Sequence, residues 1–241
     1  MLSVNKRAWI IFGVIVIALL TTLVISSRNA NPQVDVSSID ENAIQTPSKV
    51  NGNIGDHVFG NAKSKVILIE YGDYQCPGCK GAYTRVKTLS EAYQSQIAFV
   101  FRNFPLTTIH PNARAAAGAA EAAGLNGKFW EMHNSLYENQ TSWENLTGDE
   151  RTTAFTGYAT ALGVAKDAFT TSLADNAVNQ KISFDQAIAK KINVDSTPTF
   201  YLNGVKLEGT VWSNEAKFAE AINAELKKVG ITPPEFTPAA E

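Results

Sequence analysis

Asp73-Tyr74-Gln75-Cys76-Pro77-Gly78-Cys79 holds the only two cysteines of the 241-residue chain, separated by two residues. The apolar run Val66-Ile67-Leu68-Ile69-Glu70-Tyr71 precedes it, and a helical pattern from Lys80 to about Tyr93 follows. A thiol at a helix start meets unpaired backbone N–H groups and the positive end of the helix dipole, and both favour its thiolate. The thiolate is the attacking species in disulfide exchange, and a nearby second thiol can resolve the mixed disulfide. Three plainer uses compete: a structural bridge, half of a metal site, or two unreactive thiols. A bridge across so short a loop constrains the unfolded chain little. A zinc site needs two more ligands, and the chain has three histidines and no second cysteine pair. Redox chemistry is the reading that this spacing favours.

Composition removes several other classes. The net charge is −2 with no basic block, so nothing points to nucleic acid. Two cysteines allow one bridge, which excludes a disulfide-rich scaffold. A core must hold the fold, and 44% hydrophobic residues suffice for one domain of ordinary size plus one membrane or targeting segment.

That extra segment is Ala8–Ile25, an uncharged run of 18 residues rich in Ile, Leu and Val. It is near the lower limit for crossing a bilayer and long for the core of a signal peptide. Lys6 and Arg7 precede it, which favours an N-terminus inside and the bulk of the chain outside. The rival is a cleaved signal peptide. Arg28 spoils a small-x-small cleavage site in Ser26–Ala30, and no neighbouring cysteine could carry a lipid, so an uncleaved anchor is preferred. The expected organisation is a cytoplasmic N-terminus (1–7), a transmembrane anchor (8–25) and a polar, flexible linker (26–53). A folded domain (54–230) and a loose, proline-containing tail (231–241) follow.

Within the domain, His57–Gly60 reads as a short edge strand. Val66–Tyr71 and Ile97–Phe101 are continuous apolar runs of the kind found in central strands covered on both faces. With the helix between them they form a βαβ unit holding a parallel pair. Residues 108–192 are helical in pattern. Alanine dominates Asn112–Ala123, Gly124 is a stop, and further helices cover Lys128–Glu138, Gly148–Leu162, Ala165–Leu173 and Asn176–Ile192. Strand character returns at Thr199–Leu202. Asn203-Gly204 is a hairpin signal, Val205–Gly209 offers the second arm, and Asn214–Val229 is a last amphipathic helix.

Taken together, Glu70-x-x-Asp73-x-x-Cys76-Pro77-x-Cys79, Phe101-Arg102-Asn103-Phe104-Pro105-Leu106, Gly127-Lys128-Phe129-Trp130-Glu131-Met132-His133 and Ser196-Thr197-Pro198-Thr199-Phe200 form a pattern. It resembles the thioredoxin superfamily, and within it the DsbA-like thiol–disulfide oxidoreductases that bacteria export. The resemblance implies an α/β, thioredoxin-like fold with a helical insertion between the βαβ half and the β-hairpin–α half. It implies a cis Thr197–Pro198 bond facing the cysteines, with the Thr197 backbone free to pair with an extended substrate peptide. Glu70 matches the family's buried acid beneath the second cysteine, where a shielded carboxyl would exchange a proton with Cys79; a solvated strand-end Glu is the alternative. Pro77 and Gly78 tune the potential.

Cys76 caps the helix and is the expected exposed nucleophile, with Cys79 the buried resolving thiol. Asp73 is expected to shape the turn, and His110 and His133 to pack or hydrogen-bond. The implied activity is a disulfide oxidase outside the cytoplasm, monomeric, with no cofactor and no metal. Its substrates would be reduced exported proteins, and a membrane quinone-linked thiol oxidase would reoxidise it. A membrane-tethered reductase, or a peptide-binding or metallochaperone module without turnover, are the alternatives.

Overall fold

The structure is a computed structural model that describes residues 6–29 and 34–238. The chain divides into two compact units, Met1–Val34 and Asp35–Glu241. In the first, the Ala8–Ile25 run lies inside one helix, α1 (Lys6–Asn29). Trp9, Ile11, Phe12, Val14, Ile15, Ile17, Leu19 and Leu20 on it are exposed. Among the described residues no helix is long and apolar enough to cross a membrane. Residues 1–5 of the expected cytoplasmic N-terminus lie outside the described residues, as do the side chains of several residues of the Ala8–Ile25 run.

The second unit is built on a five-stranded sheet. Its strands are β1 (Val58–Gly60), β2 (Ile67–Gly72), β3 (Ala98–Asn103), β4 (Thr199–Leu202) and β5 (Val205–Lys206), in the spatial order β1-β3-β2-β4-β5. The β2–β3 pair is parallel and the other three pairs are antiparallel. The two apolar runs became the central strands, buried on both faces as such runs require. Helix α2 (Pro77–Ala92) makes the crossover between them.

The insertion comprises α3 (Ala113–Gly124), α4 (Phe129–Glu138), α5 (Gln140–Trp143), α6 (Gly148–Ala161), α7 (Lys166–Ala174) and α8 (Asn176–Lys191). Small side chains let α3 be buried nearly all round, with Ala116, Ala119, Ala120, Ala122 and Ala123 inaccessible to solvent. A short turn, α9 (Gly209–Trp212), and α10 (Glu215–Lys228) complete the domain. One apolar cluster joins β2, β3 and β4 to α2 and α10 through Leu68, Phe99, Phe200, Leu89, Phe218 and Ile222. The other fills the insertion and reaches Tyr74, Cys76, Cys79 and Phe101. The cysteines therefore sit where the insertion closes on the sheet.

Three boundaries differ from the sequence-based expectation. The segment expected as a flexible linker over 26–53 belongs to the compact unit from Asp35 onward, with Val36 and Asn51 buried. One anchor is Arg102 on β3, whose side chain is fully buried. Its guanidinium donates to the carbonyl oxygens of Glu41 (2.6 Å) and Ala43 (2.7 Å) and to the Asp56 carboxylate (2.8 Å). Lys181, equally buried, pairs with Asp56 at 2.9 Å and Asp185 at 2.6 Å. The backbone carbonyls of the segment thus help to satisfy a buried charge cluster. The tail expected to be loose over 231–241 packs at Ile231 and Phe236, the latter with its ring 5.7 Å from that of Tyr93. The second hairpin arm stops at Lys206 instead of Gly209, which opens α9.

Candidate active site

Strand β2 ends at Gly72 and α2 begins at Pro77, so the four residues between them have no ladder of their own. Asp73 folds this turn. Its carbonyl accepts the Cys76 N–H at 3.1 Å, and its carboxylate accepts the N–H groups of Gln75 (2.8 Å) and Leu106 (2.9 Å). His110 Nδ1 bonds the same carboxylate at 2.8 Å. Asp73 and His110 are thus hydrogen-bonding residues of the turn, as the sequence suggested. Gly72 permits the turn to pass close to the core: a Cβ there would stand 2.2 Å from the Phe101 ring.

Cys76 is the N-cap of α2, with Pro77 at the first helical position, where a missing N–H costs no hydrogen bond. Its sulfur stands 3.4 Å from the carbonyl oxygen of Thr197. The Thr197–Pro198 bond is cis, and Pro198 Cδ lies 3.4 Å from where a Cβ on Gly78 would be. Cys76 itself is buried, at 7% exposure, rather than exposed as expected, and the neighbouring Pro77 and Gly78 are exposed. Cys79, one turn into α2, is wholly buried, and its sulfur accepts the Asp73 N–H at 3.5 Å.

These surroundings push the two thiols in opposite directions. Cys76 is drawn down to about 5, chiefly by a hydrogen bond from Cys79, against burial, and with help from Thr197 and the N–H groups of Cys79 and Gly78. Those N–H groups are the unpaired donors of the helix start. Burial pushes Cys79 well above the ordinary thiol value, and its bond to Cys76 and the nearby Glu70 charge add to this.

Glu70 lies in the middle of the sheet, opposite Phe101 on β3 and Phe200 on β4, and is 3% exposed. Burial pushes its carboxyl up to about 8, with a smaller contribution from the charge on Cys76. Among the described residues its carboxyl has no hydrogen-bond partner. It lines a cleft that also takes in Tyr83, Lys87, Trp130, His133 and Tyr137. The solvated strand-end alternative is therefore not what the fold builds.

His133 is buried, shares a hydrogen bond with the Tyr74 hydroxyl at 3.1 Å, and is held down to about 3 by burial, so it is neutral at physiological pH. Cys76, Cys79, Glu70, Pro77, Gly78, Thr197 and Pro198 are all brought to one place. Sequence reasoning missed Gly72, Tyr74, Asn112 and Gln140, which support the turn from the sheet and the insertion. Only Gly72 left a signal, as a glycine at the end of a strand.

A family model described as Thioredoxin matches residues 52–229. The chain is similar to a thioredoxin-like oxidoreductase from Silicibacter pomeroyi, at 25% identity over 71% of this chain and 92% of that one, with a TM-score of 0.58. It is also similar to oxidised BdbD from Bacillus subtilis, at 24% identity over 77% and 98% of the two chains, with a TM-score of 0.61. For alpha-DsbA1 from Wolbachia pipientis the figures are 22% identity, 72% and 92% coverage, and a TM-score of 0.61.

Among curated relatives, the Na(+)/H(+) antiporter NhaA 1 of Salinispora arenicola is 40% identical over 155 residues, 64% of this chain and 22% of that one. NhaA 3 of Salinispora tropica is 38% identical over 170 residues, 70% and 24% of the two chains. The chain thus spans under a quarter of the length of these curated relatives. With the family model covering most of its length, the chain belongs to the thioredoxin family and has the fold of the DsbA-like thiol–disulfide oxidoreductases.

Proposed function

We propose that this chain is a thiol–disulfide oxidoreductase that introduces disulfides into exported proteins from the outer side of a membrane. The observation that carries the reading is the opposite tuning of two neighbouring thiols, Cys76 held low and Cys79 held high, beside Thr197.

In the oxidising direction a substrate thiolate attacks the Cys76 sulfur of a Cys76–Cys79 disulfide. The Cys76–Cys79 bond breaks as the mixed disulfide forms, and the electron pair goes to Cys79. Cys79 holds a proton tightly, and we assign Glu70, whose carboxyl burial pushes up to about 8, as the acid that supplies it, regaining its own from solvent through the cleft it lines. A second substrate thiolate attacks the substrate sulfur of the mixed disulfide and expels Cys76. A thiol with a low pKa leaves readily, and stabilising its thiolate makes the reduced enzyme the favoured product. The products are one substrate disulfide and a two-electron-reduced enzyme. A membrane quinone-linked thiol oxidase would take up those electrons.

Thr197 and Pro198 form the wall against which an extended substrate strand would lie, its main chain pairing with that of Thr197. Lys6, Arg7 and the uncharged Ala8–Ile25 run support a single-pass anchor with the catalytic domain outside the cytoplasm. The curated relatives carry the matching stretch in one chain with a sodium–proton antiporter, which also supports work at a membrane. We take the working form to be a monomer.

The test uses the full chain in detergent with a reduced, unfolded disulfide protein as substrate. Oxidised enzyme is expected to restore the substrate's disulfides, Cys76→Ser to abolish this, and Cys79→Ser to accumulate a covalent enzyme–substrate adduct. Full activity in Cys76→Ser would overturn the reading. A reduction potential below that of a cytosolic glutathione pool would turn the direction to reductase.

A further inference from the structure

One side-chain nitrogen, Nε2 of Gln140, donates to the carbonyl oxygens of both Tyr74 (2.7 Å) and Cys76 (3.2 Å). Gln140 opens α5 in the helical insertion and is 3% exposed, so its amide was buried for these two bonds. The residue between the two carbonyls is held by the same part of the insertion. Gln75 Nε2 donates to the Glu144 carbonyl at 2.8 Å, and its Oε1 accepts the Asn112 N–H at 2.7 Å. Asn112 Nδ2 in turn donates to the carbonyls of Glu144 (2.9 Å) and Leu146 (2.8 Å), and Arg151 donates to Asn112 Oδ1 at 2.7 Å. Three consecutive residues ending at the reactive cysteine are thus tied to 140–146 through side-chain amides.

The tie adds a hold from the insertion to those that Asp73 makes on the N–H groups of Gln75 and Cys76 from within the turn. Residues 73–76 lie between a strand and a helix, and the first α2 bond to reach them is Lys80 N–H to the Cys76 carbonyl, at 3.1 Å. Asp73 holds the turn from within. The position of the Cys76 sulfur relative to Thr197 and to the N–H groups of Gly78 and Cys79 follows from the backbone of residues 74–76. A thiolate gains from those two N–H groups only if it is held in line with them.

We propose that Gln140 is a positioning residue for the disulfide exchange, holding the two carbonyls on either side of Gln75 so that the Cys76 sulfur stays against Thr197 and the start of α2. The insertion is then part of the redox machinery as well as a cover for it. The proposal rests on Cys76 being the nucleophile.

The experiment compares the full-length reduced chain with Gln140→Met, which keeps the length of the side chain and removes its donors. The readout is the rate of Cys76 alkylation by iodoacetamide against pH. A rise of about one pH unit in the midpoint is expected in the variant, and at pH 5 a rate about fivefold lower with little change at pH 8, since only the thiolate reacts. A midpoint equal to or below that of the parent, whatever the change in thermal stability, would overturn the proposal and leave Gln140 a packing residue.

If Gln140→Met fails to fold, the parent protein still decides. The side-chain NH2 resonances of Gln140 are expected to shift with the Cys76 midpoint, and resonances that stay fixed through it would overturn the proposal. An ordinary thiol midpoint in the parent itself would instead defeat the nucleophile assignment, so the two failures are distinct.

Discussion

The sulfur of Cys76 lies 3.4 Å from the carbonyl oxygen of Thr197, a residue 121 positions further along the chain. That approach depends on β2 and β4 being neighbours in the sheet, since one strand delivers the cysteine turn and the other follows the Thr197–Pro198 corner. The reactive group and the wall facing it are therefore aligned by two adjacent strands of the sheet.

Cys79 is expected to act on Cys76 before any disulfide forms, because its thiol supplies the largest of the interactions that favour the Cys76 thiolate. Cys79→Ala should therefore raise the pH at which Cys76 ionises above its value of about 5 in the parent. Ultraviolet thiolate absorbance across a pH titration measures this. An unchanged midpoint would mean that the helix start alone sets the reactivity.

Glu70 links pH to stability. Its carboxyl is near 4.5 when exposed and about 8 when folded, so between those values the folded state holds a proton that the unfolded state has lost. Stability from this group is complete below the lower value and is lost as pH rises towards the upper one, at about 1.4 kcal/mol per pH unit. Glu70→Gln should flatten that decline. The comparison belongs in the oxidised protein, where Cys76 has no thiol to titrate with the opposite sign. Parallel stability curves for parent and variant would show that Glu70 is not protonated in the fold. The same variant should slow reduction of the enzyme by substrate, through loss of the acid for Cys79.

Arg102→Met leaves the Asp56 carboxylate buried with Lys181 as its remaining cation and strips the carbonyls of Glu41 and Ala43 of their donor. Removing one partner of a buried ion pair typically costs about 3–5 kcal/mol. Denaturant unfolding should register a loss of that order, and hydrogen exchange should show residues 39–45 opening. A loss under about 1 kcal/mol would place the segment's anchorage elsewhere.

Gly72→Ala puts a methyl 2.2 Å from the Phe101 ring and 3.1 Å from the Glu70 carboxyl. Overpacking of this kind costs about 1–3 kcal/mol. The displacement should be felt at the site as a slower exchange rate, checked by stopped-flow reduction of the oxidised enzyme. Activity and stability equal to the parent would show that the turn can move freely.

The parts of the fold that were legible in the sequence are those with strong local patterns. Apolar runs without alternation read as covered central strands, Asn203-Gly204 read as a hairpin turn, and Cys76 before Pro77 read as a helix cap. The Thr197–Pro198 geometry and the burial of Glu70 came from a resemblance, and the structure places both as the resemblance implied. The compact path of residues 35–53 was not legible, because a few buried charges on distant elements hold a segment that has little apolar content of its own. Gln140 and Asn112 were invisible for a related reason. The Gln140 amide acts on the Cys76 carbonyl across 64 positions and the Asn112 amide on the carbonyls of Glu144 and Leu146 across 32 and 34, and no local pattern records such a bond.

Whether the fold makes Cys76 a thiolate is the question on which the rest depends, and a pH titration of Cys76 alkylation in the full reduced chain answers it directly. A midpoint near 5, several units below an ordinary thiol, is the expected result. A midpoint at about 8.5, the value of a free cysteine, would contradict it.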